Sequence, residues 1–555
     1  MQKKERKGTI LTYLDVTKAY DKAWLNAIMY VLYKQGIKNK LWLLVKDLNT
    51  NLLTTIETKH GPTRQISITD SIRQGGVLSV TLYALMMDEI NKDITSNTEL
   101  GIKIPGSNTR LPCLLWMDDV VLAETNEKRS QKLLDCTDHT SKKYHVEFGM
   151  PKTKYLRTGN PKNKIELKIA GKTIEETDKY VYLGEVNNKA MNLKNQIKGI
   201  EGKVEAAYQT IIAVAEDRNF KNIKMECIWK LIQTCITPII TYGCETWEPQ
   251  KGELKKLNQI LDKILKRILM IPEATPREAL YIETGLLDIE TIIDLKRMNM
   301  MARLNREKSE MMTTILENPE CKWMKKTNEV MLKYGIHPEE LQGSKANSKD
   351  AILTGVHLEF YKKMIRAREE KSKLKYFLDG KSMWSPEKPA EYMAKLTRKQ
   401  ASTIFKARSR MLKVKGNYKN GFQDHMCRAC SKTMETQQHV LFTCEKLHPR
   451  TSILPEIDSD TNTTGDQGML NNDPDTLSDD VTITTRDLVP QPNNLTITTS
   501  RDMTANADRD TITTTYQSHP DSDPELDIFS EDPDTLKKLS EKIDEIMTEL
   551  MLSDK

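Results

Sequence analysis

Leu111-Pro-Cys-Leu-Leu-Trp-Met-Asp-Asp-Val-Val-Leu-Ala-Glu124 is the stretch on which the reading of this chain turns. Its flanks are β-prone and its centre is not, so it predicts two strands around a turn at Asp118 and Asp119. About a hundred residues earlier, Thr9-Ile-Leu-Thr-Tyr-Leu-Asp-Val16 has the apolar content of a buried strand and closes on a further carboxylate, Asp15. A strand ending at one aspartate and a turn carrying two more bring three carboxylates together across a sheet. Hard divalent cations take such oxygen ligands. Two Mg²⁺ ions about 3.5 to 4 Å apart can activate a hydroxyl and stabilise a departing pyrophosphate during in-line displacement at phosphorus. Mutual repulsion of the carboxylates favours filling the site with metal. An Asp-Asp pair is weak evidence by itself, because in a chain with 78 acidic residues most such pairs are solvated turns.

Outward from these strands, residues 9 to 190 alternate short strand-like and longer helix-like runs, an α/β or α+β pattern. Ala19 to Gly36 carries apolar residues at helical spacing and stops at a glycine. From about 190 to 420 the pattern becomes helical and rich in Lys, Met and Leu. There Leu254, Leu257, Leu261, Ile264 and Ile268 form one stripe, while Lys255, Lys256, Lys263, Lys266 and Arg267 fall elsewhere. That predicts a core-packing helix with solvated lysines in preference to a dedicated nucleic-acid contact. Past Arg450 the composition shifts to Thr, Asp, Ser, Asn and Pro, with near-copies Val-Thr-Ile-Thr-Thr-Arg-Asp from Val481, Leu-Thr-Ile-Thr-Thr-Ser-Arg-Asp from Leu495 and Asp-Thr-Ile-Thr-Thr-Thr-Tyr from Asp510. Repeats this polar cannot offset their ordering entropy, so 451–530 is expected to be disordered. After them Leu536, Leu539, Ile543, Ile546 and Leu550 predict a short amphipathic helix within 531–555. Such a helix is marginal alone, which makes 535–551 a candidate partner-binding segment.

Charge separates the same regions. From Thr451 to Lys555 there are 24 Asp and Glu against 7 Lys and Arg, a net of −17, leaving +23 on Met1 to Arg450. A body this basic suits a polyanion, and the whole-chain net of +6 conceals it. A length of 555 residues suggests three or four domains and excludes a small stapled module. Nine cysteines in such a chain do not make a disulfide scaffold, and Asp15 cuts short any apolar leader after the first lysines. The expectation is an intracellular protein, nuclear or cytoplasmic, without a membrane span. In a reducing compartment the cluster Cys427, Cys430, His439 and Cys444, spaced C-x2-C-x8-H-x4-C, reads as a tetrahedral Zn²⁺ site. His425 and His448 flank it but break the spacing.

Tyr13-Leu-Asp-Val-Thr-Lys-Ala-Tyr-Asp-Lys22 resembles motif A of reverse transcriptases from non-LTR (LINE-type) retrotransposons. Arg73-Gln-Gly-Gly-Val-Leu-Ser79 resembles their motif B and Trp116-Met-Asp-Asp119 their motif C. Pro151-Lys-Thr-Lys154 resembles motif D, and Tyr182-Leu-Gly184 the motif E turn beside the primer. All five agree in order and spacing. The resemblance implies that Asp15 and Asp118 are the principal metal ligands, with Asp119 in support, for two Mg²⁺ ions. It implies that Tyr20 crowds a ribose 2′-hydroxyl, that Gln74 and Gly75 lie beside the incoming nucleotide and template, and that Lys152 stands near the pyrophosphate. Bland readings of the last four stand beside these: a core aromatic, a turn glycine, solvated polar side chains. The cysteine cluster resembles the C-terminal Cys-Cys-His-Cys knuckle of these elements, thought there to grip RNA or target DNA.

Departures accompany the matches. Gly76, Val77 and Val80 stand where motif B usually has Cys and two prolines, and Met117 where these elements usually have Ala. Only fourteen residues precede Asp15, so the fingers segment that supplies basic residues in the family is expected to be missing. The expected architecture is therefore α+β: a polymerase palm over 1–190, an antiparallel sheet with helices on one face lacking most of the fingers. A helical thumb (191–310), a helical linker (311–420), a zinc knuckle (421–450) and the acidic tail follow. The implied activity is RNA-directed DNA polymerisation from deoxynucleoside triphosphates on an RNA template with a DNA primer or target, impaired by the missing fingers. The alternatives are an inactive nucleic-acid-binding remnant and, against the presence of Tyr20, an RNA-copying RNA polymerase.

Overall fold

The structure is a computed structural model, and it describes residues 8–448 apart from 69–70, 74, 98, 105–106, 160–162, 217–222, 308, 375–376, 378–387 and 418–423; beyond them it describes 537, 538, 541 and 543–545. The apolar run that ends at Asp15 forms β1 (Ile10–Asp15), and the decisive stretch forms β2 (Cys113–Trp116) and β3 (Asp119–Glu124) as expected. With β4 (Lys154–Arg157), β5 (Leu167–Ile169) and β6 (Lys172–Glu176) they make a six-stranded sheet in the order β5-β6-β4-β1-β3-β2. Pairing is antiparallel except between β4 and β6, which run parallel, a departure from the expected all-antiparallel sheet.

Strand alternation assigns the two faces. Leu14, Val120 and Leu122 pack beneath α1 (Leu25–Lys34), α3 (Ser79–Thr95) and α4 (Glu127–Lys143), where they meet Ile28, Met86, Ile90 and Leu133. A further helix, α2 (Asn39–Asn49), follows α1. Tyr13, Val121 and Leu156 point the other way and carry a hairpin of β7 (Lys179–Tyr182) and β8 (Glu185–Asn188). Its two-residue loop, Leu183 at φ +47° and Gly184 at φ +80°, has both central residues left-handed, which matches the twist of the strands it joins.

The helix expected from Ala19 to Gly36 begins only at Leu25. Thr17 and Tyr20 give their backbone groups to tertiary partners instead, Thr17 N donating to Glu147 O at 2.9 Å and Tyr20 O accepting from Ile72 N at 3.1 Å. Lys18, just before the expected start, turns left-handed at φ +49°.

Beyond the hairpin the chain is helical. α5 (Lys194–Glu216), α6 (Lys251–Ile268), α7 (Ile289–Glu307), α8 (Lys345–Glu370) and α9 (Arg398–Arg408) contribute to one buried apolar cluster, with shorter helices between them. On α6, Leu257, Leu261, Ile264 and Ile268 are buried and Leu254 half-buried, whereas Lys255, Lys256 and Lys263 are exposed, so the core-helix reading holds. Lys266 and Arg267 leave the solvated set: Lys266 is half-buried and donates to Glu273 O, and Arg267 pairs with Glu205 at 2.6 Å and stacks over Tyr208. Among the described residues no helix is long and apolar enough to cross a membrane.

The acidic repeats of 451–530 lie outside the described residues, as do Leu536, Leu539, Ile546 and Leu550. Those described between 537 and 545 are helical. Ile543 is buried in the helical cluster, and Asp544 accepts from Thr403 Oγ1 at 2.9 Å.

Candidate functional site

The β1–β3 register sets Asp15 opposite Asp119 at the end of the sheet. One residue back, Asp118 occupies the two-residue turn between β2 and β3, closed by the Trp116–Asp119 pair. Met117 takes the first turn position at φ +56°, a conformation that bulky side chains seldom adopt and that tends to be kept at functional sites. The turn leaves Asp118 exposed and Asp119 half-buried. Burial, and then the charges of Asp118 and Asp15, raise the Asp119 carboxyl above its ordinary range, against the pull of Lys152. The register and the turn thus gather three carboxylates at one end of the sheet, an oxygen-rich donor set of the kind hard divalent cations take.

Lys152 supplies one positive group: its Nζ lies 3.3 Å from Asp15 Oδ1 on a side chain 75% exposed. It extends from a brace that the motif reading reduced to this lysine. Gly149 N donates to Asp15 O at 2.7 Å, and Asp15 N donates to Thr153 Oγ1 at 3.4 Å. A Cβ on Gly149 would stand 3.2 Å from both Asp15 Oδ2 and Thr17 Oγ1, so glycine lets the brace close on the carboxylate. No sequence pattern marked Gly149, and Thr153 stood in the motif D stretch without a role.

Aromatic rings back the carboxylates on both faces. Tyr20 stacks on Tyr83 of α3 with centroids 5.1 Å apart. Tyr83 is buried, its hydroxyl has no partner among the described residues, and burial followed by the charge of Asp118 pushes its pKa well up. Beneath the sheet Tyr13 stacks on Tyr180 at 4.1 Å and tilts against Tyr182 at 5.9 Å. Burial and then Asp119 raise Tyr182 to about 12. The alternation of Tyr180 and Tyr182 already put both rings on one face of a strand, a signal the motif reading left unused. The hairpin is tied to the helical region: Tyr242 donates its hydroxyl to Leu183 O at 3.0 Å, and Trp247 Nε1 donates to Glu185 Oε1 at 2.8 Å. Gly75 sits at φ +84° with open space where a Cβ would lie; Gln74 lies outside the described residues.

Residues 1–186 match the family described as reverse transcriptase (RNA-dependent DNA polymerase). Over that third of its length the chain is similar to reverse transcriptases. A curated relative, the retrovirus-related Pol polyprotein from type-1 retrotransposable element R2 of Popillia japonica, is 23% identical over 293 residues, which cover 50% of this chain and 39% of the relative. The chain thus spans about two fifths of that protein's length. The resemblance to non-LTR retrotransposon polymerases is borne out by the two matches. A solved telomerase from Candida albicans, in complex with a fragment of telomeric RNA, is 11% identical over 56% of this chain and 49% of its own, with a TM-score of 0.24, too low to bear on the fold.

Well beyond the reverse transcriptase domain, the structure brings Cys427, Cys430, His439 and Cys444 together, with their ligand atoms within 4.8 Å of one another. Cys430 Sγ lies 3.3 Å from His439 Nε2, and Cys427 Sγ lies 3.9 Å from Cys444 Sγ. Among the described residues this is the group gathered that tightly; Asp15 in the reverse transcriptase domain instead turns one oxygen to Lys152. A tight turn sets the first two thiols, with Ser431 N donating to Cys427 O at 2.8 Å and Ser431 left-handed at φ +54°. Burial opposes ionisation of Cys430, but the amides of Lys432 and Thr433 and the His439 ring outweigh it and bring the thiol down to about 6. Glu435, fully buried, holds the turn by pairing with Arg428 and accepting from the Lys415 N–H, two side chains that sequence spacing did not single out. His448 is engaged with Val440 O at 3.1 Å, consistent with leaving it out of the ligand set.

Proposed function

We propose that the chain acts as the RNA-directed DNA polymerase of a non-LTR retrotransposon, adding deoxynucleotides to a primer 3′-hydroxyl on an RNA template. The observation that carries this reading is the register that sets Asp15 opposite Asp119, with Asp118 in the adjoining turn, inside a reverse transcriptase domain. On this reading 1–190 is the palm, 191–310 the thumb, 311–420 the linker and 421–450 a nucleic-acid-gripping knuckle.

The donor set fits magnesium, whose hard-oxygen preference three aspartates at one sheet end would meet. Held by Asp15 and Asp118 with Asp119 in support, Mg²⁺ would supply hydroxyl activation and charge neutralisation at the pyrophosphate. The chain's own residues do the positioning. The Gly149–Thr153 brace fixes Asp15, and Lys152 stands where it can donate a proton to a leaving pyrophosphate. Tyr20, stacked on Tyr83, would crowd a ribose 2′-hydroxyl and so favour deoxynucleotides. Three thiols and an imidazole fit structural zinc, and the lowered Cys430 thiol favours the thiolate form that binds it.

Primer extension on poly(A) with oligo(dT) tests the polymerase reading. Magnesium-dependent extension should fall at least about a thousandfold in Asp118→Ala while RNA binding persists. Binding without extension in the wild-type chain would mean a nucleic-acid-binding protein with vestigial aspartates, and a preference for ribonucleotides would mean an RNA polymerase.

A further inference from the structure

Between α7 and the first turn of α8 lies an open cavity of about 320 Å³, at the small end of ligand-sized pockets. Five of its ten lining residues are cations: Lys296, Arg303 and Arg306 from α7, and Lys345 and Lys349 from α8; Glu245 is the one acid. Lys296 is committed to Thr241 O at 2.7 Å, and Arg303 reaches Glu307 at 3.8 Å. Two further observations point to an absent anion. Ser348 is 1% exposed, lines the cavity, and its Oγ has no partner among the described residues; Nη1 of Arg306 is likewise buried and unpartnered. Buried donors left unmet are costly, a charged one most of all. The cavity also faces the N-terminal turn of a 26-residue helix, where Ser344 Oγ already caps the Asn347 N–H and the helix dipole still favours negative charge.

We propose that this cavity is a phosphate-binding pocket that holds one backbone phosphate of a nucleic-acid strand, with Arg306 and Ser348 as buried donors and Lys345 and Lys349 as the exposed rim. A guanidinium and a hydroxyl side by side suit the several acceptor oxygens of a phosphate better than a lone carboxylate. The inference rests on the polymerase reading only in naming nucleic acid as the source of the phosphate; the chemistry of the pocket is independent of the aspartates.

Anisotropy of a labelled oligoribonucleotide on the full chain, over a range of salt, tests it. The paired variants Lys345→Glu with Lys349→Glu, and Arg306→Gln with Ser348→Ala, should each weaken binding about tenfold at moderate salt and lower the salt slope by about one. Lys255→Glu with Lys256→Glu, an exposed pair on α6, should leave the slope unchanged. Equal weakening by the α6 pair would reduce the effect to general charge and overturn the proposal, as would unchanged RNA binding in both pocket variants. Calorimetry with inorganic phosphate separates the sources: phosphate binding lost with RNA affinity intact would overturn the backbone assignment in favour of a free anion. Because these readouts measure binding, a wild-type chain that fails to extend primers would sink the polymerase reading and leave the pocket standing.

Discussion

Asp15 is held from two sides, by the strand pair with Asp119 and by the brace running from Gly149 to Thr153. The second support makes Gly149 the informative position. Its backbone is not in the left-handed region, so Gly149→Ala carries no conformational strain, yet the new methyl group would press on Asp15 Oδ2 from 3.2 Å. The expected outcome is a loss of extension rate of about tenfold, since small misplacements of reacting groups are costly, with a melting temperature unchanged or slightly raised. Single-turnover extension beside a thermal melt checks this, and an undiminished rate would mean that the brace does not position the carboxylate. Motif matching found Lys152 three residues later but passed over Gly149, whose importance lies in a contact between residues 134 apart in the chain.

At the scale of elements, α7 begins with a buried carboxylate. Asp288 accepts from the Thr291 N–H at 2.9 Å and pairs with Lys363 of α8, so one side chain caps a helix and fastens it to its neighbour. Burial opposes its charge, but Lys363 and Thr291 prevail and hold the carboxyl below its ordinary range. A carboxylate depressed in the folded state contributes stability that is fully present above the unfolded pKa, about 3.9, and is lost as pH falls through the lower folded value. Asp288→Asn keeps a capping oxygen and loses the charge, so it should cost about 2 kcal/mol at neutral pH. Its denaturation midpoint should then decline less than wild type between pH 5 and 3. Parallel decline of the two proteins would remove Asp288 from the account of acid sensitivity. The apolar stripe of α6 was legible because a 3.6-residue period survives in one dimension; the Asp288–Lys363 fastening was not, because its partners lie 75 residues apart.

For the molecule as a whole, the cysteine cluster is part of the helical body. Cys427, Val440, Leu441 and Cys444 belong to the same buried cluster as Ile404 and Phe405 of α9, and Gln437 Nε2 donates to Ala407 O at 2.7 Å. Metal binding energy at such a site is folding energy, so it should spread into the helices that share the core. The protein is expected to carry one equivalent of zinc, to lose it in Cys427→Ser, and to unfold at a lower temperature after chelation. A zinc-free wild-type protein, or a thermal transition indifferent to chelator, would contradict this. The hairpin beside the sheet end is likewise fastened to the helical region, through Tyr242 and Trp247.

The sequence by itself determined the sheet strands that carry the aspartates, the turn between two of them, the lysine beside them and the gathering of three cysteines and a histidine. Strand alternation, helical period and ligand spacing are all written locally, and five motifs in order leave little freedom in how they assemble. Tertiary structure alone decided where the helix after β1 begins, because the backbone groups of Thr17 and Tyr20 found distant partners. It also decided the aromatic supports on both faces, the buried Glu435–Arg428 pair and the basic cavity between α7 and α8. These depend on which side chains meet after the chain has turned back on itself, and on which polar atoms are then shut away from water. The basic charge of the body was countable from the first reading; only the packed helices show that part of it converges on one pocket with two buried donors unmet.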